Sequence, residues 1–273
     1  MLEILKAILF GIVEGITEWL PVSSTGHMIL LNEFLHLNVS AAFWEMFLVV
    51  IQLGAILAVV VLFWKKLIPF SLRGGFRWDK PTLSMWLKIL ISCVPAAIVG
   101  LLWDDELNRL FYNYQTVAVM LILFGVVFIL LERRNKGRVP TCESIGQLTY
   151  RAAIWIGLFQ LIAAVFPGTS RSGATIVGAL MIGVSRGVAA EYTFFLAIPV
   201  MLGASLLKLV QFGFGFTGVE AMLLASGMIT AFLVSLGAIT FLIRFVKKHD
   251  FTAFGWYRIA LGISVALYFS LAG

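Results

Sequence analysis

The chain has 273 residues, 61% of them hydrophobic and only 12% charged, with a mean hydropathy of +1.01. Those values exclude a water-soluble globular enzyme and place the chain in a membrane. The net charge of +6 gathers in short loops between apolar stretches, with no basic and aromatic surface beside it, so it is an orientation signal and argues against nucleic acid as a partner.

In chain order, the first apolar segment, 4 to 37, is interrupted by Pro, Ser and Gly. Its start is no cleavable signal: Glu3 and Lys6 cancel, Glu14 and Glu18 break the apolar region, and no A-x-A site follows, so it is expected to belong to the mature fold. A spanning helix needs roughly 20 apolar residues, and stretches at 43 to 64, 83 to 103 and 116 to 132 meet that length. A second interrupted segment, 151 to 182, follows, and then three more full-length stretches at 188 to 211, 219 to 243 and 254 to 272. Non-helical backbone inside hydrocarbon is tolerated only where protein or water satisfies its polar groups. The two interrupted segments are therefore read as re-entrant broken-helix hairpins, and the fold class as an all-α polytopic membrane protein with six transmembrane helices. Cys93 in a span and Cys142 in a loop fit no metal spacing and predict no disulfide.

Three loops hold most of the basic residues: Lys65, Lys66, Arg73, Arg77 and Lys80; Arg133, Arg134, Lys136 and Arg138; and Arg244, Lys247 and Lys248. These are predicted cytoplasmic. The loop with Asp104, Asp105, Glu106 and Arg109, and the one near Gly213 to Gly218, are predicted to face outward. Six spans thread this alternation if each hairpin enters and leaves on one side, the first from outside and the second from the cytoplasm. Both termini are then outside.

Gly11 and Gly157, Ile16 and Ile162, Pro21 and Pro167, Ser24 and Ser170, and Glu45 and Glu191 all stand 146 positions apart without a gap. Each half reads as one hairpin plus three spans, an odd number that inverts the second half, so a single membrane domain 1–273 is predicted with inverted-topology repeats near 1–132 and 147–273. Such repeats place a site at their interface.

The chemistry concentrates in the two breaks. Glu14 and Glu18 share one face of an apolar helix, where ionisable groups usually line a functional cavity. After Pro21 come Ser23, Ser24, Thr25, Gly26 and His27, a composition that suits a phosphate oxyanion and offers a hydroxyl nucleophile near a base; an ordinary Ser/Thr cap before Met28 is the plainer alternative. The second break, Pro167 to Thr175, sets Arg171 among Ser170, Ser172 and Thr175 at a depth where a permanent charge is costly, which points to bidentate phosphate binding. Gln160 and Ala164 stand where the first repeat has Glu14 and Glu18. The first half thus supplies acid and base chemistry, and the second the cation.

Three motifs, Glu14-xxx-Glu18, Pro21-x-Ser-Ser-Thr-Gly-His27 and Pro167-Gly-x-Ser-Arg-Ser-x-x-Thr175, closely resemble those of the undecaprenyl pyrophosphate phosphatase family, also called the bacitracin-resistance protein family, over essentially the whole length. The resemblance implies hydrolysis of the polyprenyl pyrophosphate carrier of cell-wall synthesis to its monophosphate and inorganic phosphate. It also implies divalent-cation dependence (Mg²⁺ or Ca²⁺), an inverted-repeat fold, a homodimer, and a place in the bacterial inner membrane.

The expected catalytic set is Glu14, Glu18, Ser24, His27 and Arg171, with Ser23, Thr25, Gly26, Ser170, Ser172 and Thr175 on the phosphate and Glu14 and Glu18 as metal ligands. Ser24 is the preferred nucleophile with His27 moving its proton, and attack by water or by His27 is the runner-up. A transporter or flippase is the competing class, since broken helices and inverted repeats also build secondary transporters.

Overall fold

The computed structural model describes residues 1–71, 77–213 and 215–272; Arg73 and Phe214, each in a loop used above for orientation, lie outside them. Among the described residues there are eleven α-helices: α1 (Leu2–Thr17), α2 (Ser24–Phe34), α3 (Ala41–Val50), α4 (Gln52–Leu67), α5 (Lys80–Phe111), α6 (Tyr114–Asn135), α7 (Tyr150–Val165), α8 (Arg171–Met181), α9 (Arg186–Phe212), α10 (Gly218–Phe245) and α11 (Thr252–Ala272). A two-residue antiparallel ribbon, Phe70–Ser71 with Arg77–Trp78, lies between α4 and α5.

Among the described residues six helices are long and apolar enough to cross a membrane: Ala41–Leu67, which joins α3 and α4, then Lys80–Trp103, Tyr114–Asn135, Arg186–Phe212, Gly218–Phe245 and Thr252–Leu271. They coincide with the six stretches read from the sequence. Leu57, Val61, Leu90, Val119, Ile229 and Leu233 are exposed on the outside of the bundle, a surface matched to lipid. Polar side chains start the spans. Asp79 accepts from Thr82 N–H at 3.0 Å, Asn113 from Thr116 N–H at 2.8 Å, and Thr217 with Glu220 forms a capping box.

One orientation signal changes its setting. Asp104 to Arg109 belong to no loop, because α5 continues to Phe111 and only Tyr112 and Asn113 separate it from α6. The acidic stretch is the end of the helix beyond its apolar span.

The interrupted segments form two pairs of short helices. α1 and α7 have 16 residues each, α2 and α8 have 11 each. Sixteen residues rise about 24 Å, short of the roughly 30 Å hydrocarbon core. α1 packs along α10 and α7 along α5. Close approach requires bare backbone there: a Cβ on Gly11 would stand 2.5 Å from Gly227 O, and one on Gly157 would stand 2.6 Å from Ser92 O. Seating α1 and α7 so deeply brings their C-terminal ends, with the breaks that follow, against one another in the interior.

Candidate active site

Each break is built the same way. After α1 the chain passes Pro21 and turns at Ser23, whose φ is +73°; after α7 it passes Pro167 and turns at Ser170, whose φ is +68°. Both serines cap the next short helix by accepting from the N–H three residues on, Gly26 to Ser23 Oγ at 3.4 Å and Gly173 to Ser170 Oγ at 3.1 Å. Non-glycine residues held at such φ cost about 1–3 kcal/mol each, a strain the surrounding packing must impose. The cap geometry equates Ser23 with Ser170, one residue off the gap-free match of Ser24 with Ser170, because the second break carries an extra residue between its proline and its cap. Ser24 and Arg171 are then the first helical residues of α2 and α8.

Those two residues meet on one carboxylate. Ser24 Oγ donates to Glu18 Oε2 at 2.8 Å, and Arg171 Nη2 donates to Glu18 Oε1 at 2.8 Å. Arg171 is fixed further by Nη1 donating to Thr193 O at 2.9 Å, by Met201 Sδ 3.9 Å from Nη2, and by the Trp19 ring 5.9 Å from the guanidinium carbon. Its Nε is buried with no hydrogen-bond partner, as is Oε1 of Glu14, one helical turn before Glu18. Trp19 Nε1, Gln160 Oε1, Thr169 Oγ1 and Arg258 Nε are buried and unpartnered as well, so donors and acceptors cluster unsatisfied around the two breaks.

The other expected site residues divide. Ser24, Thr25, His27, Ser170 and Arg171 keep partial exposure, whereas Ser23, Gly26, Ser172 and Thr175 are buried. Ser172 Oγ donates to Glu18 O at 3.1 Å, and Thr175 Oγ1 lies 2.9 Å from Arg171 O and 2.8 Å from Thr193 Oγ1. These two hydroxyls brace the hairpins from inside, with their protein partners already made. A threonine one turn into a helix bonds back to its own backbone when it has nowhere else to turn.

His27 also departs from expectation. Its Nδ1 lies 2.7 Å from Ser23 O, a carbonyl that can only accept, so Nδ1 carries a proton. Its Nε2 lies 2.7 Å from the Tyr257 hydroxyl, and the two rings stack at 5.6 Å. Neither nitrogen bonds Ser24, whose hydroxyl proton points to Glu18.

Sequence reasoning placed α11 as a span but missed its part in the site. Tyr257 holds His27, and Arg258, wholly buried, donates to Pro21 O at 3.2 Å and to Gly168 O and Thr169 O at 2.9 and 2.8 Å. Arg171 therefore shares the interior with a second guanidinium. An arginine inside the predicted span 254 to 272, four residues past its start, was the available signal.

Among the described residues no group of three or more His, Cys, Asp or Glu side chains encloses a cation. Glu14 and Glu18 still fit a hard divalent ion that keeps several ligands from substrate and water: both offer carboxylate oxygen, and Glu14 Oε1 is unused. A cavity of about 720 Å³ lies elsewhere, between Lys66, Lys88, Ser144 and Glu191.

A family model described as bacitracin resistance protein BacA matches residues 7–264. An undecaprenyl-diphosphatase of Desulfitobacterium hafniense is 66% identical over 270 residues, 99% of this chain and 97% of that protein. Undecaprenyl-diphosphatase 1 of Clostridium acetobutylicum is 67% identical over 268 residues, 98% of each chain. An undecaprenyl-diphosphatase of Enterococcus faecalis is 57% identical over 268 residues, 97% of each.

Proposed function

The chain belongs to the bacitracin resistance protein BacA family, and from that premise we propose that it hydrolyses undecaprenyl pyrophosphate to the monophosphate and inorganic phosphate. The observation that carries the reading is the chain of contacts from Arg171 through Glu18 to Ser24, which puts a phosphate-binding cation and an activated hydroxyl on one carboxylate.

Arg171 uses its free Nε and remaining N–H groups to hold the terminal phosphate. Ser24 Oγ attacks the terminal phosphorus as its proton passes to Glu18 Oε2. The bond from phosphorus to the bridging oxygen breaks, the prenyl monophosphate leaves, and water then cleaves the serine phosphate. Glu18 suits the base role because it already accepts the Ser24 proton at 2.8 Å. His27, with both nitrogens engaged, holds the Ser23 turn against Tyr257, which favours Ser24 over the imidazole as the attacking group. Glu14 and Glu18 would hold a divalent cation, Mg²⁺ or Ca²⁺, which when bound supplies charge neutralisation to the phosphate oxygens.

We extend the proposal to the architecture. The two breaks are re-entrant hairpins of an inverted-topology repeat, a reading supported by their matching lengths and caps and by the exchange in which α1 of one half packs on α10 and α7 of the other packs on α5. Glu45 and Glu191 support it too: each pairs with a lysine from the opposite half, Lys208 at 4.0 Å and Lys66 at 2.7 Å. The protein resides in the bacterial inner membrane as a homodimer with both termini outside.

The test is phosphate release from a C55 pyrophosphate by purified protein in detergent, with and without chelator. Detergent leaves no second compartment, so release of phosphate separates an enzyme from a flippase. Turnover that chelator suppresses and that Ser24→Ala reduces at least about 100-fold is expected, the size usual for losing a nucleophile. Full activity of Ser24→Ala would move the attack to water.

A further inference from the structure

Arg258 is the seventh residue of α11, 0% exposed, with its guanidinium against both breaks. Nη1 donates to Pro21 O in the first break; Nη2 donates to Gly168 O and Thr169 O in the second and lies 3.4 Å from Met120 O of α6. The three break carbonyls each stand within two residues of a cap serine, Ser23 or Ser170. Buried carbonyls need donors, and a break that contains a proline and a left-handed serine has few of its own to give. One planar fork supplies donors to both loops at once. Arg258 forms no ion pair among the described residues, so no carboxylate competes for it. Gly173, in the first turn of α8, adds a second mark of close fit: a Cβ there would stand 3.1 Å from Arg258 Nη1.

We propose that Arg258 is the positioning residue of the active site, tying the two breaks together at the one spacing at which Ser24 and Arg171 both reach Glu18. The inference rests on the catalytic reading of those three residues. Arg258 touches neither Ser24 nor Arg171 by a hydrogen bond; it acts through the backbone that carries them. Arg171 has its own anchor in Thr193 O on α9, so phosphate binding survives when the tie is loosened. Ser24 has its anchor only on Glu18, so its alignment with the held phosphate does not survive. Loss of alignment without loss of binding is a loss in kcat at nearly constant KM.

The experiment measures kcat and KM for C55 pyrophosphate hydrolysis in Arg258→Lys and Gly173→Ala, with the thermal unfolding midpoint of each purified variant. Arg258→Lys keeps the charge but replaces two donor nitrogens, one on each break, by a single ammonium on a shorter stem that cannot stand in both places. The expected result is a kcat at least 100-fold lower, equivalent to about 2.7 kcal/mol, with KM within about threefold of the wild type. Gly173→Ala leaves the arginine in place and crowds it, and should give the same split at roughly tenfold. A folded Arg258→Lys with kcat within twofold of the wild type overturns the proposal, and so does a rise in KM with kcat unchanged. If Arg258→Lys does not fold, Gly173→Ala decides by the same two readings. Absence of phosphate release by the wild type would instead sink the enzymatic assignment, so the two failures are distinct.

Discussion

A guanidinium that donates to a carboxylate with one nitrogen and to a peptide carbonyl with another has lost its rotational freedom before substrate arrives. Arg171 is in that position between Glu18 and Thr193 O, which leaves its Nε edge pointing at nothing in the protein. Lysine can keep the charge and one of the two bonds, yet it cannot offer a flat pair of donors to phosphate, and it leaves Glu18 less well held. Arg171→Lys is therefore expected to lower kcat/KM by at least about 100-fold, measured by phosphate release; near-normal turnover would remove the clamp. Glu14 and Glu18 were legible as charged letters in an apolar run, and Ser24 and Arg171 as members of the polar breaks that follow prolines. Arg258 was no less visible as a letter, but its partners are the carbonyls of Pro21, Gly168 and Thr169, and backbone acceptors have no letter of their own. The bonds of His27 were hidden for a related reason: Tyr257 lies 230 positions away, and spacing along the chain does not foretell that meeting.

At the scale of elements, the six spans and both breaks could be read from hydropathy and from proline, serine and glycine, because the bilayer sets the length of a span and Pro21 and Pro167 end α1 and α7. What hydropathy could not give was the partner of each helix. That choice is made by small residues: Gly157 lets α7 settle on α5 at the Ser92 backbone, while Gly100, on the same α5, faces open space. The pair makes a controlled test. Gly157→Ala must push α7 off α5 and is expected to destabilise by about 1–3 kcal/mol, the usual cost of overpacking, seen as a lower thermal unfolding midpoint in detergent. Gly100→Ala should leave the midpoint unchanged or slightly raised, because alanine favours the helix by up to about 1 kcal/mol. Equal effects from the two substitutions would mean that α7 is not seated by Gly157. The acidic stretch 104 to 109 shows a limit of hydropathy: where apolar letters stop, a helix need not, and α5 runs on to Phe111.

For the whole molecule, the inverted reading makes a demand that no single helix makes. If the two halves have opposite senses, the connection after α2 and the connection before α7 open on opposite faces of the membrane, although the breaks they serve meet at Glu18. Loop charge assigns the sides: the connection from α6 to α7 carries Lys136 and Arg138 beside Arg133 and Arg134, whereas His36 to Ser40 after α2 carries no Lys or Arg. His36 and Val139 are both exposed, and neither belongs to the proposed chemistry. In a chain bearing Cys93→Ser and Cys142→Ser, His36→Cys is expected to react with a membrane-impermeant maleimide on cells whose inner membrane is intact, and Val139→Cys only after that membrane is permeabilised. Labelling of both from one side would break the inversion, since a chain of six spans cannot then present its two hairpins from opposite faces. The catalytic reading would survive that outcome, because Arg171, Glu18 and Ser24 meet in the interior whichever faces the hairpins enter from.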